Sequence, residues 1–196
     1  MWKNAQEELL KDKYIGPLIH VYGDCTISIG VHGDYFKDLC SAICGQQLSG
    51  KAADTIFKRF VSRVKVVNPK NILKASDQEL RDCGLSYRKV SYIKDLALKT
   101  QNGELRTKIF TKLSNEEVEK ELVAVKGIGR WTAHMFLMFT LGRADVFPSD
   151  DLGIKKGMEK ILNKDLTKIE MEKLSERWKP YRTVASWYIW KNLDNR

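Results

Sequence analysis

The stretch SNEEVEKELVAVKGIGRWTAHMFLMFTLG, residues 114–142, leaves this chain few folds to choose from. Ser114 and Glu117 have the spacing of a capping box, in which a hydroxyl and a carboxylate satisfy the free N–H groups of a helix start. Val118, Leu122 and Val125 then fall on one stripe of an amphipathic helix. After Lys-Gly-Ile-Gly-Arg comes a helix that is apolar nearly all round, and such a helix belongs at the centre of a bundle. Whatever its first turn touches is therefore held by a rigid scaffold. The same plan occurs in SDQELRDCGLSYRKVSYIKDLAL, where Ser76 and Glu79 form a second box and Gly84 ends the first helix. Only CTISIGV, residues 25–31, alternates as a strand would. The expectation is an all-α protein.

Gly127 and Gly129 permit positive φ and remove side-chain bulk, so N–H groups at the next helix start can approach an external group closely. Together with the helix dipole, Lys126 and Arg130, that corner would suit a phosphate. A plain αα-corner closed by a glycine would look the same locally. The formal net charge of +9 over 196 residues also favours a polyanion, either nucleic acid or an anionic membrane surface. The 43% of hydrophobic residues can bury the core of one compact domain or two small lobes. The apolar run from Met135 to Leu141 is too short to span a bilayer, and MWKNAQEELLKDKY lacks the apolar stretch of a signal peptide. A soluble, intracellular protein without membrane attachment is expected. Cys25, Cys40, Cys44 and Cys83 form no C-x-x-C pair; Cys40 and Cys44, one turn apart, read as reduced core thiols. His20, His32 and His134 show no ligand spacing.

The corner VKGIGRWTA resembles the hairpin of the helix-hairpin-helix DNA glycosylase superfamily. FKDLCSAICGQQLSGKAADTIFKRF resembles the family's helix with a Gln-Gln-x-Ser turn, and LRDCGLSYRKVSYIKDLA its intermediate helix pair. DVFPSDDLGIKKGM resembles the loop and aspartate beyond the hairpin. LSERWKPYRTVASWYIW resembles the closing helix of the alkylated-base branch, the 3-methyladenine DNA glycosylases. These segments run in the family order from about residue 12 to 192. The resemblance implies a two-lobed helical bundle with an active-site cleft between the lobes. One lobe would span residues 37–143, and the other would combine 1–36 with 144–196.

The resemblance further implies a monofunctional enzyme that hydrolyses the N-glycosidic bond of alkylated purines in double-stranded DNA by base flipping, acting as a monomer in base excision repair. Asp151 would be the catalytic carboxylate. From the residues alone, Ser149, Asp150 or Asp151 could simply cap the helix carrying Ile154, Met158 and Ile161; the family pattern selects Asp151 over Asp150. Members that also cut the backbone use a lysine two residues past the second hairpin glycine. Here that residue is Trp131, which cannot form a Schiff base, so no lyase activity is expected. Lys126 and Lys155 are the other lysines near the site in sequence.

Trp131 and Trp190 would stack on the electron-deficient base; the facing of Trp187 and Tyr188 stays open. The GQQLSG turn would fill the gap left by the base through Gln47 or Leu48, with Gln46 and Ser49 beside it as DNA contacts or helix caps. Lys126, Gly127, Ile128, Gly129, Arg130 and Thr132 would grip DNA. The carbonyls of Val123, Val125 and Ile128 match positions that can hold a monovalent cation in the family. The C-terminus WYIWKNLDNR lacks the cysteine run of an iron–sulfur cluster, so none is expected. Two alternatives remain: a non-catalytic hairpin module that binds DNA structure, and a glycosylase for oxidised or deaminated purines.

Overall fold

The computed structural model describes residues 2–30 and 33–194; Val31, at the end of the strand-like stretch, and His32 lie outside the described residues. The described residues are helical and contain no β-strand. The chain opens with α1 (Lys3–Leu9) and α2 (Ile15–Tyr22). There follow α3 (Tyr35–Gly45), α4 (Gly50–Val64), α5 (Pro69–Lys74), α6 (Asp77–Arg81), α7 (Tyr87–Gln101) and α8 (Asn115–Val123). It closes with α9 (Arg130–Met135), α10 (Leu152–Leu162), α11 (Lys168–Ser175) and α12 (Arg182–Asp194). Cys25–Gly30, the described part of the strand-like stretch, is irregular. Its polar groups go elsewhere: Ile27 O accepts the Trp2 indole N–H at 3.2 Å, and Gly30 N–H donates to Phe139 O at 2.9 Å.

Both expected capping boxes close, at Ser76/Glu79 and at Ser114/Glu117, and Thr167/Glu170 adds a third before α11. The stripe of Val118, Leu122 and Val125 is buried, and Gly84 ends the α6 segment at φ 100°. Cys40 and Cys44 are buried free thiols; desolvation pushes Cys44 up to about 12.

Two compact units result, one from Met1–Gly30 with Arg130–Arg196, the other from Val31–Gly129. The expected divisions after residues 36 and 143 therefore fall after residues 30 and 129, so residues 33–36 group with the central segment and 130–143 with the terminal ones. The reason is packing. Ile29 lies against Gly142, Gly30 bonds Phe139, and the Phe139 ring sits 6.1 Å from that of Trp190 on α12. An all-round apolar helix carries no stripe to say which neighbours it will bury against.

In the first unit α12 packs against α2 and α10. Its residues Val184, Ala185, Tyr188 and Ile189 join Ile15, Ile154, Met158 and Trp178 in one buried cluster. A methyl group at Gly157 would lie 2.9 Å from Ile189 O, so the absence of a side chain lets α10 lie directly on α12. In the second unit α3 packs on α4 and α7, and α5 also packs on α7. Phe60, Ile72, Leu80, Ile93 and Leu96 are fully buried there.

Candidate active site

Asp151 lies at the start of α10 in the first unit and is its N-cap, with Oδ1 accepting the Ile154 N–H at 2.8 Å. The same oxygen accepts the Trp190 indole N–H at 2.8 Å, while Oδ2 accepts that of Trp131 at 2.6 Å. Cap and candidate catalytic group are thus one side chain. A carboxylate offers about four lone-pair directions. Three are taken, which fixes the orientation of the group and leaves capacity for one more partner.

The segment before Asp151 is pinned from several sides. Arg182 forms a two-point pair with Asp145, at 2.6 and 3.0 Å, and Thr183 Oγ1 donates to Arg143 O at 2.6 Å and accepts the Val146 N–H at 3.1 Å. Ser149 is buried and donates to Glu172 Oε1 at 2.7 Å. Asp150 pairs with Lys168, whose ammonium holds that carboxyl below the ordinary carboxylate range. Ser149 and Asp150 are therefore tied to α11, and of the three only Asp151 meets the tryptophans.

Asp151 and its two indoles line a cavity of about 400 Å³ within this unit. Phe139 and Trp187 add two further aromatic faces, and Met135 completes the apolar wall. Phe139 reaches the cavity from a π turn over Phe136–Thr140, which follows α9 directly and is closed by Leu141 N–H to Phe136 O at 3.0 Å. The open facing of the Trp187–Tyr188 pair resolves cleanly: Trp187 lines the cavity, whereas Tyr188 is buried with its hydroxyl on Gly23 O at 2.7 Å. Lys191 also lines the cavity, its ammonium 5.3 Å from the centre of the Trp187 ring. Gly153 makes room for the arrangement: a methyl group there would stand 2.9 Å from Asp151 Oδ1 and 3.0 Å from Trp190 Nε1. Phe139, Lys191 and Gly153 were not singled out from sequence. The one usable signal was Gly153 and Gly157, two glycines one turn apart in a helix, which mark close backbone approach.

Lys155, in α10, forms an ion pair with Glu159 at 3.1 Å. Thr132 is half-buried in α9, and Arg130, the first residue of that helix, is exposed.

In the second unit, Gly127 takes φ 80°, and a Cβ added there would fall within 3.0 Å of atoms of the Tyr92 ring, closer than real Cβ atoms come. Gly129 differs: its φ lies outside the left-handed region and a Cβ there would meet nothing. Only the first glycine is demanded by the fold. Lys126 is exposed, with its backbone N–H on Asp95 Oδ2 at 2.8 Å, and Ile128 is buried. The Val125 carbonyl accepts the Ile128 N–H at 3.1 Å. A carbonyl has a second lone pair, so this bond does not prevent Val125 from ligating a cation.

The Gln-Gln turn belongs to the same unit. Gln46 Nε2 donates to Gly127 O at 2.9 Å, so this side chain braces the hairpin. Gln47, exposed, takes φ 58°, and Leu48 is 39% exposed. Ser49 occupies the N-cap position of α4 without a side-chain bond. Lys89, missed from sequence, donates to Cys44 O at 2.8 Å and to Gln46 O at 2.7 Å.

Residues 40–180 match the HhH-GPD superfamily of base excision DNA repair proteins, and the chain belongs to that family. It is 42% identical over 162 residues to DNA-3-methyladenine glycosylase 1 of Schizosaccharomyces pombe, a match covering 80% of this chain and 71% of that protein. The solved structure of a Schizosaccharomyces pombe 3-methyladenine DNA glycosylase in complex with abasic DNA is similar at TM-score 0.76 and 36% identity, covering 96% of this chain and 95% of that one. The DNA-3-methyladenine glycosidase of Bacillus halodurans is similar at TM-score 0.86 and 32% identity, covering 96% and 88%.

Proposed function

We propose that this protein is a monofunctional DNA glycosylase that removes N-alkylated purines, 3-methyladenine among them, from double-stranded DNA as the first step of base excision repair. The observation that carries the reading is the Asp151 carboxylate, oriented by two indole N–H groups and a helix cap in an aromatic cavity. The family membership and the names of the relatives support the same activity.

A purine stacked in a duplex conceals its glycosidic bond, so the nucleotide rotates out and the base enters the cavity, at a cost of a few kcal/mol that damaged pairs reduce. N-alkylation leaves a positive charge on the ring, and electron-rich indole faces attract it as they attract other cations. The bond from the sugar C1′ to the purine nitrogen then breaks, with the electron pair leaving on the base, which departs neutral. Positive charge grows on the sugar. A fixed carboxylate beside it stabilises that charge more than the ground state, which is what lowers the barrier. Water adds to C1′, and its proton passes to Asp151 and on to solvent. The products are a free purine and an abasic site.

Trp131 stands where an amine nucleophile would be needed for strand cleavage, so the reaction ends at hydrolysis. Lys126, Gly127, Ile128, Gly129, Arg130 and Thr132 grip backbone phosphates, and Gln47 or Leu48 fills the gap in the stack. The carbonyls of Val123, Val125 and Ile128 would hold a monovalent cation that adds positive charge for a phosphate. The hydrolysis balances without a redox group. The enzyme works as a monomer inside the cell; no helix among the described residues is long and apolar enough to cross a membrane.

The test is release of labelled free base from alkylated duplex DNA by wild type and Asp151→Asn, with a lane for strand cleavage without added alkali. Base release by wild type, its loss by about a hundredfold or more in the variant, and intact strands are expected. DNA binding without base release would leave only a binding module. Full activity in Asp151→Asn would remove the carboxylate from the mechanism.

A further inference from the structure

The Gln-Gln turn is exposed at its tip and tied down at its base. α3 ends at Gly45, and the last carbonyls of a helix lack donors from their own helix. Lys89, in the first turn of α7, supplies donors: its ammonium bonds Cys44 O at 2.8 Å and Gln46 O at 2.7 Å. Lys89 forms no ion pair with a carboxylate among the described residues, and burial lowers its pKa from the ordinary lysine value. The Gln46 side chain leaves the same turn in the other direction and donates to Gly127 O, at 2.9 Å. Between these fixed points Gln47 sits at φ 58°, a left-handed conformation that non-glycine residues adopt only when their surroundings impose it.

We infer that Lys89 is a positioning residue for duplex opening: by clamping the Cys44 and Gln46 carbonyls it presents Gln47 and Leu48 in one conformation and in register with the glycine hairpin. The inference rests on the glycosylase reading above. Without the ammonium, the two carbonyls take water as partner and Gln47 relaxes to negative φ. The tip must then be re-ordered at the moment it enters the base stack. The loss falls on extrusion of the nucleotide and not on cleavage of the glycosidic bond, so it appears only with substrates whose base is stacked.

The experiment compares single-turnover release of the same alkylated purine from a matched duplex and from single-stranded DNA, for wild type, Lys89→Met, Lys89→Arg, Gln47→Ala and Leu48→Ala. In Lys89→Met the duplex rate is expected to fall on the order of ten- to a hundredfold, the scale of losses from small misplacements away from the reacting atoms. Single-strand release stays within about twofold and the melting temperature within a few degrees. Lys89→Arg, whose fork can also donate to two carbonyls, restores most of the duplex rate. Should Lys89→Met fold poorly, Lys89→Gln, which keeps one amide donor group, makes the same comparison. Equal losses on both substrates, or an unchanged duplex rate in Lys89→Met, overturn the inference. If wild type releases no base from either substrate, the glycosylase reading itself fails. If it does release base but neither Gln47→Ala nor Leu48→Ala lowers the duplex rate, the tip does not open the duplex and the role given to Lys89 falls with it.

Discussion

Adding one methyl group to each hairpin glycine in turn should separate what the fold requires from what DNA requires. At Gly127 an alanine must hold φ near 80°, which costs about 1–2 kcal/mol for an L-residue. Its Cβ would also drive into the Tyr92 ring, and overpacking of that kind costs about 1–3 kcal/mol. The sum, about 2–5 kcal/mol, corresponds to a fall of roughly 4–20 °C in melting temperature for a chain of this size. At Gly129 neither penalty applies. The new Cβ meets nothing, and the loss of unfolded-state freedom stabilises by up to about 1 kcal/mol. Gly129→Ala should therefore melt at or slightly above wild type. On the proposed reading of the hairpin as a phosphate grip, its methyl group would nevertheless stand in the way of a phosphate approaching the backbone N–H groups. Loss of one charge-assisted bond, about 1.5–3 kcal/mol, weakens duplex binding roughly ten- to a hundredfold. Fluorescence anisotropy on a duplex with an abasic analogue, titrated with salt, reads both the affinity and the slope of log K against log salt. That slope should stay near the wild-type value, because the variant keeps every Lys and Arg that can neutralise a phosphate. Wild-type affinity in Gly129→Ala, or a melting temperature as low as that of Gly127→Ala, would refute the reasoning.

Three further outcomes follow from the site and its surroundings. Trp131→Phe and Trp190→Phe each remove one indole N–H from Asp151 while keeping an aromatic face, so single-turnover base release should fall about tenfold or more with little change in melting temperature; wild-type rates would mean that the two bonds do not orient the carboxylate for catalysis. Lys191→Met removes a positive charge from the cavity wall and should raise the preference for positively charged alkylpurines over neutral hypoxanthine, by only a few-fold because Lys191 is exposed and screened; an unchanged ratio in competition assays would place its charge outside the reach of the base. Asp12 lies two residues before Tyr14, the N-cap of α2, and its Oδ1 accepts the N–H groups of Tyr14 and Ile15. Burial raises its pKa, but the N–H groups of Tyr14 and Ile15 and the Arg177 guanidinium outweigh burial and hold the carboxyl below 3.8. The stabilisation from its charge is thus complete above pH 3.8 and is lost as the pH falls through the depressed folded value. Asp12→Ala should cost about 1 kcal/mol at pH 7, with the gap to wild type narrowing in denaturant unfolding below about pH 4; a gap that stays constant with pH would show that the charge contributes nothing.

The residues at the site came to light in different ways. The family pattern selected Asp151, and the structure adds the reason Asp150 is a poor choice, since Lys168 already holds it. The resemblance made Trp131 and Trp190 candidate stacking surfaces, and their bonds to the carboxylate were not foreseen. Gln46 was a candidate DNA contact, and its side chain braces the hairpin.

What the chain reveals by itself is what acts within about one helical turn. The capping boxes at Ser76 and Ser114 and the stripe of Val118, Leu122 and Val125 depend on groups three to four residues apart, and the glycine corner on two glycines two apart, so their spacing can be read directly. What only tertiary structure decided are meetings between distant segments. The cavity gathers Trp131, Phe139, Asp151, Trp187 and Lys191 from α9, the π turn, the start of α10 and α12. The boundary at residue 130, the choice of Trp187 over Tyr188 and the reach of Lys89 to the end of α3 are settled in the same way. Local pattern states which face a helix must bury and leaves open against what, because the hydrophobic drive has no direction and packing selects the partner.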